Sequence, residues 1–191
     1  MFSKTLLFFL FSFSIIFTSC SSTSRSYSNK SKHHKSKSYS HRSKTTKKSN
    51  STYRNKELSA RNGIANYANN FKGTPYLYGG KSPNGFDCSG LITHVYNKKG
   101  IALHGNSNSL SKMGKQVSLN RAKAGDLIFF GSKSRVSHVA IISQNKNGIL
   151  EVIHATSSRG VVRENIAGSS YWTPKILFVR DVLSQSELTA D

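Results

Sequence analysis

Apolar residues along this 191-residue chain fall into three regimes. The first is a nearly continuous run, residues 5–17, that follows the basic Lys4 and gives way to Thr18, Ser19 and Cys20. A basic start, a short apolar stretch and small residues form the pattern of a secretion signal, and the run is shorter than the roughly 18 to 20 residues a helix needs to cross a bilayer. The second regime, residues 21–56, has almost no aliphatic side chain and cannot bury a core, so it is expected to be a disordered tether. In the third, Leu58, Ile64, Ala65, Ala68 and Phe71 recur near helical spacing before Gly73 and Pro75, predicting an amphipathic helix over 57–71. Leu91, Ile92, Val95 and Tyr96 predict another helix that stops at Gly100 and has Cys88 at its N-terminus. The period then changes. Residues 126–130, 136–142, 149–154 and 176–182 are short β-branched or aromatic runs separated by Gly, Ser and Asn, which predict strands of a mostly antiparallel sheet. Helices followed by strands predict one α+β domain over 57–191, after a signal at 1–19 and a tether at 20–56.

Charge sharpens this division. The formal net charge is +20, from 28 Lys and Arg against eight acidic residues. Eleven of the basic residues lie in 21–56 and one is Lys4, while all eight acids lie beyond Lys56, so the domain itself carries only about +8. The charge therefore belongs mostly to the tether. An exported chain has little access to nucleic acid, so the partners expected for the tether are anionic envelope polymers and lipid head groups; simple solvation of a linker is the plainer alternative. A flexible tether of that length reaches about 35 Å r.m.s.. His33, His34 and His41 lie in the tether without Cys or acids around them, and no metal or other cofactor is expected.

Only two cysteines occur, Cys20 and Cys88, and in an exported chain a disulfide between them is the ordinary expectation. Cys20, however, follows the signal in a way that resembles the bacterial lipoprotein pattern, with small Ser19 before it and Phe17 where that pattern usually has Leu. Lipidation of Cys20 would anchor the chain to a membrane and leave Cys88 a lone thiol. Ser21 in place of Asp is the arrangement expected for outer-membrane sorting in a cell that has an outer membrane.

A thiol at a helix N-terminus feels partial positive charge, which is expected to lower its pKa from about 8.5 and favour the nucleophilic thiolate. Gly85 and Gly90 flank it and permit tight turns and close approach of a substrate backbone. A small buried core residue is the other common fate of a free Cys. His138 alternates with Ala140 and Ile142 on one strand face, opposite Val139 and Ile141, and needs a polar partner. A thiolate across the sheet would supply one, giving a Cys and His pair in which imidazole moves the proton. His154, on the following strand, is placed to hydrogen-bond the far nitrogen of His138 and orient it; ordinary strand histidines remain the alternative for both.

Five motifs in order, GTPYLYGG at 73–80, GFDCSGL at 85–91, AGDLIFF at 124–130, HVAII at 138–142 and IHA at 153–155, resemble the NlpC family of cell-wall peptidases, most closely its compact lipoprotein members. The resemblance implies a papain-like α+β fold with circularly rearranged order, Cys88 as nucleophile, His138 as base and His154 as the orienting third residue. It also implies that the Tyr76 hydroxyl and the Cys88 main-chain N–H stabilise the oxyanion, and that Asp87 and Ser89 shape the substrate site; a packed aromatic is the alternative for Tyr76. Asp126 is expected to be structural. The HGNSN stretch at 104–108 departs from the family pattern, so no subsite is carried over to 103–110, and His104 is expected to be a loop residue. His94 is expected on a helix face without a nameable partner. The implied function is endopeptidase action on peptidoglycan, at γ-D-glutamyl bonds or crosslinks, by a monomer held at the envelope. An acyltransferase or amidase on the same fold and a non-catalytic envelope-binding lipoprotein are the competing classes.

Overall fold

Runs such as Leu127-Ile128-Phe129-Phe130 and Val139-Ala140-Ile141-Ile142 are apolar at every position, and a strand of that kind is stable only where both of its faces are covered. In the computed structural model, which describes residues 45–133 and 135–184, these runs form the middle of a six-stranded antiparallel sheet. Its strands are β3 (Lys115–Val117), β4 (Leu127–Ser132), β5 (Arg135–Lys146), β6 (Ile149–Thr156), β7 (Gly160–Asn165) and β8 (Ile176–Asp181), in the order β3-β8-β4-β5-β6-β7. A separate two-stranded hairpin, β1 (Lys81–Ser82) and β2 (Gly85–Phe86), precedes the helix α2 (Cys88–Lys98). This is the expected α+β class. The signal at 1–19, the lipidation site Cys20, the tail histidines and the tether as far as residue 44 lie outside the described residues.

One sheet face packs on α2 and on α1 (Thr45–Asn69): Leu91, Ile92 and Val95 meet Leu127, Phe129, Val139, Ile141 and Ile153 in one apolar cluster. The other face buries Ile128, Phe130, Ala140, Ile142 and Val152 under Ala122, Ile166 and Trp172. Side-chain alternation divides β5 accordingly, with Val139 and Ile141 toward the helices and Ala140 and Ile142 away from them.

Two expectations about α1 are corrected. It begins at Thr45, twelve residues before the predicted start, so residues 45–56 are helical rather than disordered. Leu58, expected on the buried face, is 56% exposed, whereas Arg61 is 1% exposed and begins the stripe continued by Ile64, Ala65 and Ala68. Charge explains the exchange. Arg61 Nη1 donates to Asp126 Oδ1 at 2.6 Å, Nη2 to Asp181 Oδ2 at 2.8 Å and Nε to Glu57 Oε1 at 2.7 Å, so one guanidinium joins α1 to the entry of β4 and the end of β8. The second Asp126 oxygen accepts the Lys123 N–H. Burial pushes the Asp126 carboxyl up, against the Lys123 N–H and Arg61, which pull it down.

Sequence patterning missed β3 and β7. Both are edge strands whose outward positions are polar, and β7 buries only Gly160 and Val161 fully. A charge stripped of its partner inside a fold costs about 3 to 5 kcal/mol. Arg61→Met is therefore expected to lower unfolding free energy by that order in urea titration, with Asp126→Asn in the same chain recovering part of it. A loss below about 1 kcal/mol would show that the cluster does not hold α1 to the sheet.

Candidate active site

The start of α2 is set by Asp87. Its backbone is extended (φ −89°, ψ 176°), and Oδ1 accepts the Gly90 N–H at 2.6 Å and the Ser89 hydroxyl at 2.9 Å, which makes it an N-cap. Oδ2 accepts the Gly79 N–H at 3.0 Å, tying the preceding loop to the helix. Asp87 and Ser89, expected to shape the substrate site, thus line the Cys88 cavity while bonded to one another. Gly90 has a different task from the one expected of it: any Cβ there would overlap the Gly80 carbonyl, so it admits a neighbouring loop rather than substrate. The same loop is pinned at its other end, where the Gly73 N–H donates to Val161 O and the Val161 N–H to Thr74 O. Tyr76 follows and pairs with Phe86 in an isolated parallel bridge.

Cys88 is therefore the first residue of α2, a half-buried free thiol packed against the helix-side core. A cavity of about 830 Å³ opens over it, lined by Tyr76, Tyr78, Asp87, Ser89, Ser137 and the loop at 106–108. Burial pushes the Cys88 thiol up and the Asp87 carboxylate adds to this, while the N–H groups of Val139, Ser89 and Cys88 itself pull it down. The net direction is upward, which corrects the expectation of a thiol activated by the helix end alone: desolvation outweighs the helix contribution. The Tyr76 hydroxyl is also raised, by burial and then by negative charge at Cys88 and Asp87, and so remains a hydrogen donor.

His138 Nε2 and His154 Nδ1 are 2.9 Å apart, the contact expected between them. Trp172 stacks on His138 with ring centroids 5.1 Å apart and planes at 25°. Burial holds His138 down to about 3, with the His154 charge adding and Glu164 opposing, so its neutral form is the resting one. His154 is completely buried and is also held down, by burial first, against Glu164. Among the described residues no hydrogen bond joins the thiol to either imidazole. Cys88 packs against the cluster that includes Val139, the residue next to His138, and Ser137 on the other side of His138 lines the Cys88 cavity. A second cavity of about 760 Å³ adjoins His138 and is lined by Ser137, Thr156, Arg159, Tyr171 and Lys175 among others. In general a neutral thiol and a neutral imidazole can exchange a proton without a preformed ion pair.

Sequence reasoning missed Glu164. Its Oε1 lies 2.8 Å from His154 Nε2 and accepts Arg159 Nη2–H at 2.7 Å and Trp172 Nε1–H at 3.2 Å. The signal existed in the hairpin: His154 pairs with Val162, so Glu164 is its diagonal neighbour on the same face. His94, expected to have no partner, packs among the rings of Tyr67, Phe71 and Phe86. His104 is an exposed loop residue, and Asn106 caps the short helix α3 (Ser107–Leu110) at the cavity edge.

Residues 73–181 match the family model described as "NlpC/P60 family". The chain is 35% identical over 129 residues to the gamma-DL-glutamyl hydrolase of Bacillus subtilis (strain 168), an alignment covering 67% of this chain and 31% of that protein. It is 32% identical over 117 residues to the murein DD-endopeptidase MepS/murein LD-carboxypeptidase of Escherichia coli (strain K12), covering 61% of this chain and 60% of that one. The chain thus spans less than two thirds of the length of either curated relative. The crystal structure of an NlpC/P60 family protein from Bacillus cereus ATCC 10987 superposes with a TM-score of 0.59 at 31% identity, over 64% of this chain and 40% of that chain.

Proposed function

This chain belongs to the NlpC/P60 family, and from that premise we propose that it is a cysteine endopeptidase that hydrolyses peptide bonds in peptidoglycan stem peptides or their crosslinks. The observation that carries this reading is the packing of Cys88, at the first position of α2, against the cluster that holds Val139 of β5, next to His138, whose ring nitrogen lies 2.9 Å from His154 on β6. Cys88 Sγ attacks the scissile carbonyl as His138 Nδ1 takes the thiol proton. The Tyr76 hydroxyl and the Cys88 N–H donate to the oxyanion of the tetrahedral intermediate. Collapse transfers the proton from His138 to the departing amine and leaves a thioester on Cys88. Water, deprotonated by His138, then attacks the thioester and restores the free thiol. His154 keeps the His138 ring oriented throughout. Asp87 and Ser89 support the substrate wall beside the nucleophile.

The proposal includes the place of action. Lipidation of Cys20 anchors the chain to an envelope membrane, and the basic residues of the tether hold anionic envelope polymers, bringing the domain to the wall. The two curated relatives carry the names of different bond specificities, and residues 106–108, part of the HGNSN sequence that departs from the family pattern, line the cavity over Cys88.

Purified domain incubated with peptidoglycan should release stem-peptide fragments identifiable by mass, and Cys88→Ala should abolish release while leaving the circular-dichroism spectrum unchanged. Release by the Ala variant would remove Cys88 from the chemistry. For the tether, replacing the seven Lys and Arg of residues 21–44 by Ser should move lipid-free protein from the sedimented wall into the supernatant, and added salt should do the same by shortening the screening length below about 8 Å. Sedimentation indifferent to both changes would reduce the segment to a linker.

A further inference from the structure

The two histidines alone leave the direction of their hydrogen bond open, and this matters chemically. A neutral imidazole carries one N–H, so either His138 donates from Nε2 and keeps Nδ1 bare, or His154 donates and the hydrogen of His138 sits on Nδ1. Only the first arrangement makes His138 a base toward a thiol. The structure contains a group that selects it. Glu164 Oε1 accepts from Arg159 and from Trp172, and it lies 2.8 Å from His154 Nε2. Burial opposes ionisation there, but the hydrogen bonds from Arg159 and His154 hold the Glu164 carboxyl below its ordinary range. An ionised carboxylate can only accept, so the hydrogen at that contact is on His154 Nε2. His154 Nδ1 is then bare, and the 2.9 Å contact is filled by the His138 Nε2–H. His138 Nδ1 is left unprotonated, and it has no hydrogen-bond partner among the described residues.

We propose that Glu164 is a positioning residue that fixes both histidine tautomers in series through the line Glu164, His154, His138, and that Arg159 sets how much of its negative charge the line feels. The proposal rests on His138 serving as the base for Cys88. It assigns three separate tasks. The carboxylate sets the proton order, its charge favours the imidazolium formed when His138 takes the thiol proton, and Arg159 opposes that charge while anchoring the carboxylate. The titratable and charged groups around the line are His154 on β6, Glu164 on β7, Arg159 in the turn before β7, and Tyr171 and Lys175 across the adjoining cavity; Cys88, Asp87 and Arg135 line the neighbouring cavity, which shares Ser137, and β4 contributes no titratable group. Of these, Glu164 raises the affinity of His154 for a proton, by hydrogen bond and by charge, and Arg159 lowers it.

The signs of the expected effects follow. Glu164→Ala frees the tautomer and should lower kcat by on the order of 10 to 100-fold with little change in KM, the range common for residues that orient a reacting ligand or base. Glu164→Gln keeps an acceptor oxygen, steered into place by the Arg159 and Trp172 N–H groups, and should recover most of that loss. Lacking the charge, it should move the acid limb of kcat/KM to lower pH, because the imidazolium is less favoured. Arg159→Gln removes the opposing cation and should move the same limb to higher pH. In ¹⁵N spectra of imidazole-labelled protein with Cys88 intact, His138 Nδ1 should resonate as unprotonated in the wild-type chain and in Glu164→Gln, and as a tautomer mixture in Glu164→Ala. Limb shifts of the same sign or absent, Gln as slow as Ala, or a protonated His138 Nδ1 in the wild-type chain would each overturn the proposal. The Gln and Arg159 variants, which change no volume in the core, decide the matter should the Ala variant fold poorly. These outcomes are separable from the fate of the peptidase reading itself, which fails instead through unimpaired hydrolysis by Cys88→Ala or His138→Ala.

Discussion

Three hydrogens converge on the carboxylate of Asp87, from Gly79, Ser89 and Gly90, and the geometry of the candidate site descends from that convergence. One oxygen caps the N-terminus of α2 and the other holds the loop that carries Tyr76, so Cys88 and Tyr76 are both placed by a single short side chain. The neighbouring backbone has to come close for this to happen. Gly90 supplies the space by lacking a Cβ against the Gly80 carbonyl, and β7 supplies the far tether through Val161. A site built in this way resists displacement because several hydrogen bonds, to the Asp87 carboxylate and between main-chain groups, would have to be lost together.

Burial then determines the electrostatics. The thiol, the two imidazoles and the tyrosine are all shifted toward their neutral forms with desolvation as the first cause. On the proposed mechanism, charge is created during the reaction and favoured by carboxylate and amide dipoles already in position. Arg61 shows the opposite treatment of charge in the same molecule: a guanidinium as deeply buried as any apolar side chain, kept ionised by three carboxylates and used to join helix to sheet. The histidine pair is held neutral by burial, whereas the Arg61 cluster is ionised and saturated.

The strands with continuous apolar runs, β4 and β5, and the helix with Leu91, Ile92 and Val95 on one face were legible because burial on the helix side demands those residues in those periods. The pair His138 and His154 was legible for the same reason, as two polar rings interrupting apolar strands. Edge strand β7 was not, because Arg163 and Glu164 read as a solvated stretch until the pairing of His154 with Val162 turns Glu164 inward. Leu58 misled since a helix stripe normally starts with an apolar residue, and nothing in the sequence of α1 announces that Asp126 and Asp181 wait for Arg61 from 65 and 120 residues away. The direction of the Cys88 shift was misjudged because helix position is visible in a sequence while the degree of desolvation is a property of the folded site.

The central claim is that Cys88 forms a covalent acyl intermediate with a wall peptide. A rapid acid quench of the domain mixed with a peptidoglycan stem peptide, followed by intact-mass analysis and peptide mapping across one turnover, tests it directly. The account predicts a transient adduct equal in mass to the acyl half of the substrate, located on the peptide that contains Cys88 and discharged by hydroxylamine as a thioester. Product accumulating over the same time course while the Cys88 peptide keeps its unmodified mass, or an adduct found on another residue, would contradict it.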